Sequence, residues 1–357
     1  MPTKIILKAG GKRTVVLRAE EASAIVARFT QELARHPDQV VHAFDLSCRS
    51  WTKEAIEILA PFLKQHDAAV SCANLDDIIA GRMTDEGLAV TEQLAQAFAD
   101  SKLIEVSMND NAMGPRGLSR INLLFNSPLQ RLSFSNCGLS EESMKMLKDA
   151  VLGNDGRIAK SLTDLVLDKN MIGKEGSKLV GDFLKSCKQL QYFSYAGCRP
   201  EREGSKAICE GIRSLTQDNE SVRLRYLNLD DCTIGDSEDD AVQPLSEALA
   251  KCPQLRYLNL RSGDTEIGGL EMLVDSLQES GAQLTHLDLG KFPFQECVYS
   301  ICSFLTPPIC ILPFQNRMVN LDLKELEFWL ISSTHKQPRF NISMSNLTNL
   351  ETRVSAF

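Results

Sequence analysis

The sequence predicts an α/β solenoid, with a curved parallel sheet on its concave face and helices on its convex face. Three observations predict it. A pattern of the form L-x-x-L-x-L-x-x-N/C-x-L recurs along most of the 357 residues. Its copies start far enough apart to leave room for a strand and a full helix in each. The segments between copies carry apolar residues at i, i+3, i+4 and i+7, the spacing of an amphipathic helix.

Clear copies begin at Leu103 (LIEVSMNDNAM), Leu129 (LQRLSFSNCGL), Leu162 (LTDLVLDKNMI), Leu190 (LQYFSYAGCRP) and Leu224 (LRYLNLDDCTI). Those at Leu255 and Leu284 are weaker at their ends. VSCANLDDIIA from Val70 is an imperfect earlier copy, and VHAFDLSCRSW a still earlier one. From Val70 to Leu284 successive starts are 33, 26, 33, 28, 34, 31 and 29 residues apart. Repeats this long belong to the ribonuclease-inhibitor-like class of leucine-rich repeats. EESMKMLKDAVL, GKEGSKLVGDFLKSC, AVQPLSEALAKC and GGLEMLVDSLQ are the predicted helices, and Gly173, Gly176 and Gly204 punctuate helix entries.

Strands stack about 4.8 Å apart while helices are wider, so the sheet side is concave. Pattern positions one, four, six and eleven point inward. The ninth also turns in, to satisfy backbone groups that the bend leaves unpaired. There Asn111, Cys137, Asn170, Cys198 and Cys232 form a structural ladder rather than a metal site. The eighth position faces solvent on the rim, giving the column Asp77, Asp110, Asn136, Lys169, Gly197 and Asp231. Such a column spans roughly 25 Å, one face of a small globular protein. Its polarity fits a binding surface and equally fits a plain solvated rim.

Three segments are expected: residues 1–36 as a hairpin (KIILKA-GGK-RTVVLRA) and helix capping the array, 37–292 as the repeats, and 293–357 as an irregular tail. The tail has neither helical nor strand periodicity. It is either an irregular cap or sequence never shaped to sit on this array, and the second reading is favoured.

The formal net charge of −8 argues against nucleic acid or an anionic membrane as partner. No apolar leader opens the chain, and the apolar stretch from Val298 to Leu312 is short and broken by Pro307 and Pro308, so no membrane insertion is expected. The 11 cysteines show no CxxC pair and no zinc spacing with histidine, and reduced thiols are expected. The chain carries no P-loop, GxSxG, HExxH or dinucleotide fingerprint. His36, His42, His66, His286 and His335 are dispersed, and Asn341 and Asn346 head sequons without other signs of secretion. No active site of its own, cofactor or metal is expected.

DLSCRSW (Asp45–Trp51), LDDIIAGRMTDEGL (Leu75–Leu88) and SMNDNAMGPRGL (Ser107–Leu118) resemble the Ran GTPase-activating proteins. The family's aspartate-aromatic-(I/T)-(A/G)-G-R stretch reads here Asp77-Ile78-Ile79-Ala80-Gly81-Arg82. Its S-D-N-A-(F/L)-G stretch reads Asn109-Asp110-Asn111-Ala112-Met113-Gly114. LVLDKNMIGKEG (Leu165–Gly176) is similar to a repeat of the plant-type members. The sequence departs from the family in lacking a tryptophan-proline-proline domain and an acidic tail, and in holding Thr84 where some members have lysine.

The resemblance implies a monomeric regulator that binds Ran in its GTP form and speeds hydrolysis without an arginine finger, by ordering Ran's own glutamine. It implies a role in nucleocytoplasmic transport and a cytoplasmic location, at the nuclear envelope in plant-type members. The family's glutamine-positioning asparagine matches Asn136. Arg82 and Asp231 match family contact residues, and Asp77, Asp110 and Lys169 share the column. For Arg82 the other reading is a loop arginine paired with Asp77 or Asp85. The other functional class is a scaffold that holds some other protein with no effect on GTP turnover. Single-turnover hydrolysis of Ran-GTP separates the two.

Overall fold

The structure, a computed structural model, describes residues 3–11, 16–217, 222–236, 240–265, 267–290, 310–314 and 317–321. The chain alternates strand and helix. Near the amino end lie β1 (Thr3–Lys8), β2 (Val16–Leu17), α1 (Ala19–Arg35), β3 (Gln39–Asp45), β4 (Ser50–Trp51) and α2 (Lys53–Gln65). Then come β5 (Cys72–Asn74), α3 (Thr84–Ala97), β6 (Glu105–Ser107), α4 (Gly114–Arg120), β7 (Arg131–Ser133) and α5 (Glu141–Ser161). These are followed by β8 (Asp164–Val166), α6 (Gly173–Leu184), β9 (Tyr192–Ser194), α7 (Glu201–Thr216), β10 (Tyr226–Asn228) and α8 (Val242–Leu249). The array runs on through β11 (Tyr257–Asn259), α9 (Ile267–Ser280) and β12 (His286–Asp288).

Ten strands form one sheet in the order β1-β3-β5-β6-β7-β8-β9-β10-β11-β12. Each neighbouring pair is parallel, because a helix returns the chain to the same end of the sheet every time. The chain is a leucine-rich-repeat solenoid of the predicted class. Leu129, Leu132, Phe134 and Leu139 are fully buried, and so are Leu162, Leu165 and Leu167 in the next repeat. The core is therefore a continuous strip of these inward positions against the apolar faces of the helices. Helices α6 and α7 pack backbone to backbone at two glycines. A Cβ on Gly181 would lie 2.2 Å from the Ala207 carbonyl oxygen, and one on Gly211 would lie 2.5 Å from that of Gly181. Helix α5 leaves helical geometry at Gly153–Gly156 and resumes to Ser161, beyond its predicted end at Leu152.

The amino-terminal hairpin is a correction. β1 and β2 do not pair with each other: β1 runs parallel to β3, from Thr3 opposite Gln39 to Lys8 opposite Asp45, and β2 runs parallel to β4. Gly10 and Gly11 both have positive φ, as the turn of a hairpin would, but the strand that β1 pairs with is β3. Pairing β1 with β3 covers the open edge of the array with six residues of backbone, which a local hairpin would leave bare. Of the expected tail, only β13 (Cys310–Phe314) and β14 (Arg317–Leu321) are described, as an antiparallel pair; the rest of 293–357 lies outside the described residues.

On the concave face, strand register aligns the third pattern position into one column. It runs Cys72, Glu105, Arg131, Asp164, Tyr192, Tyr226, Tyr257 and His286. Arg131 Nε donates to Glu105 Oε2 at 2.9 Å. The last four members stack ring on ring, with centroids 3.8, 4.0 and 4.2 Å apart and planes within 11° of parallel.

Candidate functional site

Every eighth-position residue in the column adopts the left-handed conformation. φ is 53° at Asp77, 59° at Asp110, 54° at Asn136, 57° at Lys169, 66° at Gly197 and 64° at Asp231. For a residue with a Cβ this conformation costs about 1–2 kcal/mol, so something must hold it. A backbone ladder does. The N–H of each eighth residue donates to the carbonyl of the seventh residue in the following repeat. Asp110 bonds to Ser135 at 2.9 Å, Asn136 to Asp168 at 2.8 Å, Lys169 to Ala196 at 2.7 Å, and Asp231 to Arg261 at 3.0 Å. Successive side chains therefore leave the rim at strand spacing, about 4.8 Å.

The inward side of the same turn is held by the ninth position. Asn170 Nδ2 donates to the Phe134 and Leu167 carbonyls at 2.7 Å each, and its Oδ1 accepts from the Cys137 and Leu139 N–H groups at 3.0 Å. Asn111 does the same one step earlier, donating to Leu75 and Met108 and accepting from Ile78. The Cys137 thiol donates to the Met108 carbonyl at 3.0 Å, Cys198 to Leu167 at 3.0 Å, and Cys232 to Tyr195 at 3.7 Å. Burial pushes the Cys137 and Cys198 thiols up to about 12 and that of Cys232 well above its ordinary value. These thiols are neither nucleophiles nor ligands at neutral pH.

Sequence reasoning missed a second ladder, at the seventh position. Asp76 Oδ1 accepts from the Asn109 N–H, Asn109 Oδ1 from the Ser135 N–H, and Asp168 Oδ1 from the Ala196 N–H. Its signal was present as Asp or Asn at the seventh position of these three repeats. Burial raises the Asp76 and Asp168 carboxyls above the usual carboxylate range.

The predicted contact residues fall into three groups. Asp110, Asn136, Lys169 and Asp231 are exposed on the rim. Asn136 Nδ2 donates to Asp110 Oδ1 at 2.8 Å, which fixes the amide and leaves its Oδ1 without a hydrogen bond among the described residues. Asp77 is a correction: it occupies the column but is only 4% exposed, so its carboxylate does not face solvent. The repeat position fixes where its side chain starts, not how much of it solvent reaches. The Arg82 guanidinium lies 3.6 Å from Glu86, and its side chain is 18% exposed. Asp85 is held instead by Arg116 at 3.0 Å. Among the described residues no group of three or more metal-ligating side chains converges, and no helix is long and apolar enough to cross a membrane.

A family model described as Leucine Rich repeat matches residues 223–237. The chain is 25% identical over 262 residues to the ribonuclease inhibitor of Mus musculus, covering 65% of this chain and 55% of that protein. It is 30% identical over 185 residues to NACHT, LRR and PYD domains-containing protein 13 of Homo sapiens, covering 52% of this chain and 16% of that protein. It is 30% identical over 125 residues to the Ran GTPase-activating protein of Drosophila melanogaster, covering 33% of this chain and 21% of that protein. The chain thus spans about half the ribonuclease inhibitor and smaller shares of the other two. An inhibitor and an activating protein are regulators of other proteins, not catalysts with their own substrate pocket.

Proposed function

We propose that this chain is a regulator that binds Ran in its GTP form through the rim column and accelerates GTP hydrolysis. Hydrolysis needs water held in line with the γ-phosphate and the developing charge stabilised. The chain would contribute orientation. Asn136, locked by the left-handed backbone and by Asp110, offers its Oδ1 to the partner's glutamine amide, and that glutamine holds the water. The observation that carries this reading is the Asn136–Asp110 contact, which presents one acceptor in a fixed direction at an exposed point. Asp110, Lys169 and Asp231 would supply surrounding contacts. The 30% identity to a Ran GTPase-activating protein over 125 residues adds to the reading.

The second reading is a protein-binding scaffold. It is favoured by the longer match, 262 residues, to a ribonuclease inhibitor. Single-turnover hydrolysis of Ran-GTP, with binding measured on the same samples, separates the two. Stimulation by the wild type, lost in Asn136→Ala with binding retained, is expected. Binding without stimulation by the wild type means a scaffold. Normal stimulation by Asn136→Ala removes that residue from the mechanism.

A further inference from the structure

The stacked column on the concave face is separate from the rim. Tyr226 and Tyr257 each have both ring faces covered by neighbours in the stack. Tyr192, at the start of the stack, has one face against Tyr226 and the other toward β8, where the aligned residue is Asp164. Aspartate is far shorter than tyrosine, so the outer part of the Tyr192 ring stands above it. Among the described residues no ring or cation stacks on that face. Tyr192, Tyr226 and Tyr257 hold one another parallel by stacking, with planes within 11°.

The surroundings of this open face are acidic. Asp164 Oδ2 accepts from its neighbour Thr163 at 2.5 Å, and its other oxygen is free to accept more. Asp168, two residues past the strand end, is bound to the Ser194 hydroxyl and the Ala196 N–H and adds its negative field to that at Tyr192. Arg131 is the register neighbour of Asp164 on the side away from Tyr192 and its charge acts on that carboxylate, but its Nε and Nη2 donate to Glu105; Lys169 in the same way offsets part of the charge of Asp168.

We propose that the open face of Tyr192, with Asp164 beside it, is a docking site for an arginine side chain presented by a partner protein. A guanidinium is planar, stacks on an aromatic face and donates in a fork that matches a carboxylate. Laid on Tyr192 it extends the stack by one layer and reaches the free lone pairs of Asp164. The negative charge of Asp164 and Asp168 selects a cation, and the flat ring selects guanidinium over ammonium. The site goes beyond the rim reading and does not depend on it.

The test uses charge-matched probes, hexa-arginine and hexa-lysine peptides, titrated against the full chain by fluorescence polarisation. The wild type should bind the arginine peptide more tightly, by at least about threefold, the size of a cation–π contact at an exposed site. Tyr192→Leu should erase that preference and Tyr192→Phe should keep it. Asp164→Asn should weaken the arginine peptide while leaving the circular dichroism melt unchanged, which guards against a variant that fails to fold. Equal or absent binding of the two peptides by the wild type, or a preference that survives Tyr192→Leu, overturns the proposal.

Discussion

Replacing Asn170 with alanine should cost far more than its small volume suggests. The side chain is 2% exposed and bridges two repeats. Its loss leaves the Cys137 and Leu139 N–H groups without their acceptor and the Phe134 carbonyl without its donor. A buried polar group left unsatisfied costs about 1–3 kcal/mol. The Leu167 and Asp168 carbonyls keep other donors, Cys198 Sγ and the Asn136 N–H, so they add little. Three orphaned groups, partly relieved by relaxation, give about 3–6 kcal/mol. Asn170→Cys, a residue the chain itself uses at this position, restores one donor to the Phe134 carbonyl and no strong acceptor. It should recover only about a third of the loss. Urea unfolding followed by circular dichroism gives the stability, and amide exchange at Cys137 and Leu139 gives the local consequence. Should Asn170→Ala lie within about 1 kcal/mol of wild type with both amides still protected, the ninth-position ladder would not be what holds the turn.

Three further outcomes are expected. Under native conditions a thiol reagent should modify Cys48 and half-buried Cys72 well before Cys137, Cys187, Cys198, Cys209, Cys232 or Cys252, which are buried; peptide mapping after brief labelling checks the order. Burial raises the Asp76 carboxyl, so the folded state binds its proton more tightly than the unfolded chain does, and Asp76 costs stability as pH rises through that raised value. Asp76→Asn keeps the acceptor for the Asn109 backbone N–H, loses the long contact from Asn109 Nδ2 and removes the charge, so its melting temperature relative to wild type should rise from pH 3 to pH 7. Finally, if exposed Asp110 and Asp231 steer a basic partner face, the association rate with Ran-GTP should fall as salt rises past 0.1 M, where screening sets in at about 10 Å; stopped-flow kinetics that ignore salt would rule steering out.

The fold was legible because the repeat states it many times over. A leucine at the fourth and sixth positions means the same thing in each copy, so errors in one copy are corrected by the others. The eighth-position column was legible for the same reason. Its left-handed backbone was not: Lys169 carries no signal for it, since the conformation is imposed by the Ala196 carbonyl one repeat away. The amino-terminal hairpin misled because KIILKA states that it is a strand but not whom it pairs with, and its partner begins at Gln39, beyond a whole helix. Asp77 misled because a repeat position states where a side chain starts and not whether it is covered. The tyrosine stack was written plainly in LQYF, LRYL and LRYL, but it becomes a feature only once register aligns three repeats.

The left-handed column has a consequence for how this surface can change. Its backbone shape is set by carbonyls rather than by the residues that occupy it, so side chains there can be exchanged without reshaping their neighbours. What defines a pair such as Asp110 and Asn136 is adjacency of repeats, and adjacency is changed by removing or inserting a whole unit. Excising residues 129–161 would bring Leu162 directly after Pro128 and set Lys169 against Asp110, turning an amide–carboxylate contact into an ion pair in one genetic event. The rim behaves as movable type: its letters are fixed in height and spacing, and its message is rewritten by the order in which they are set.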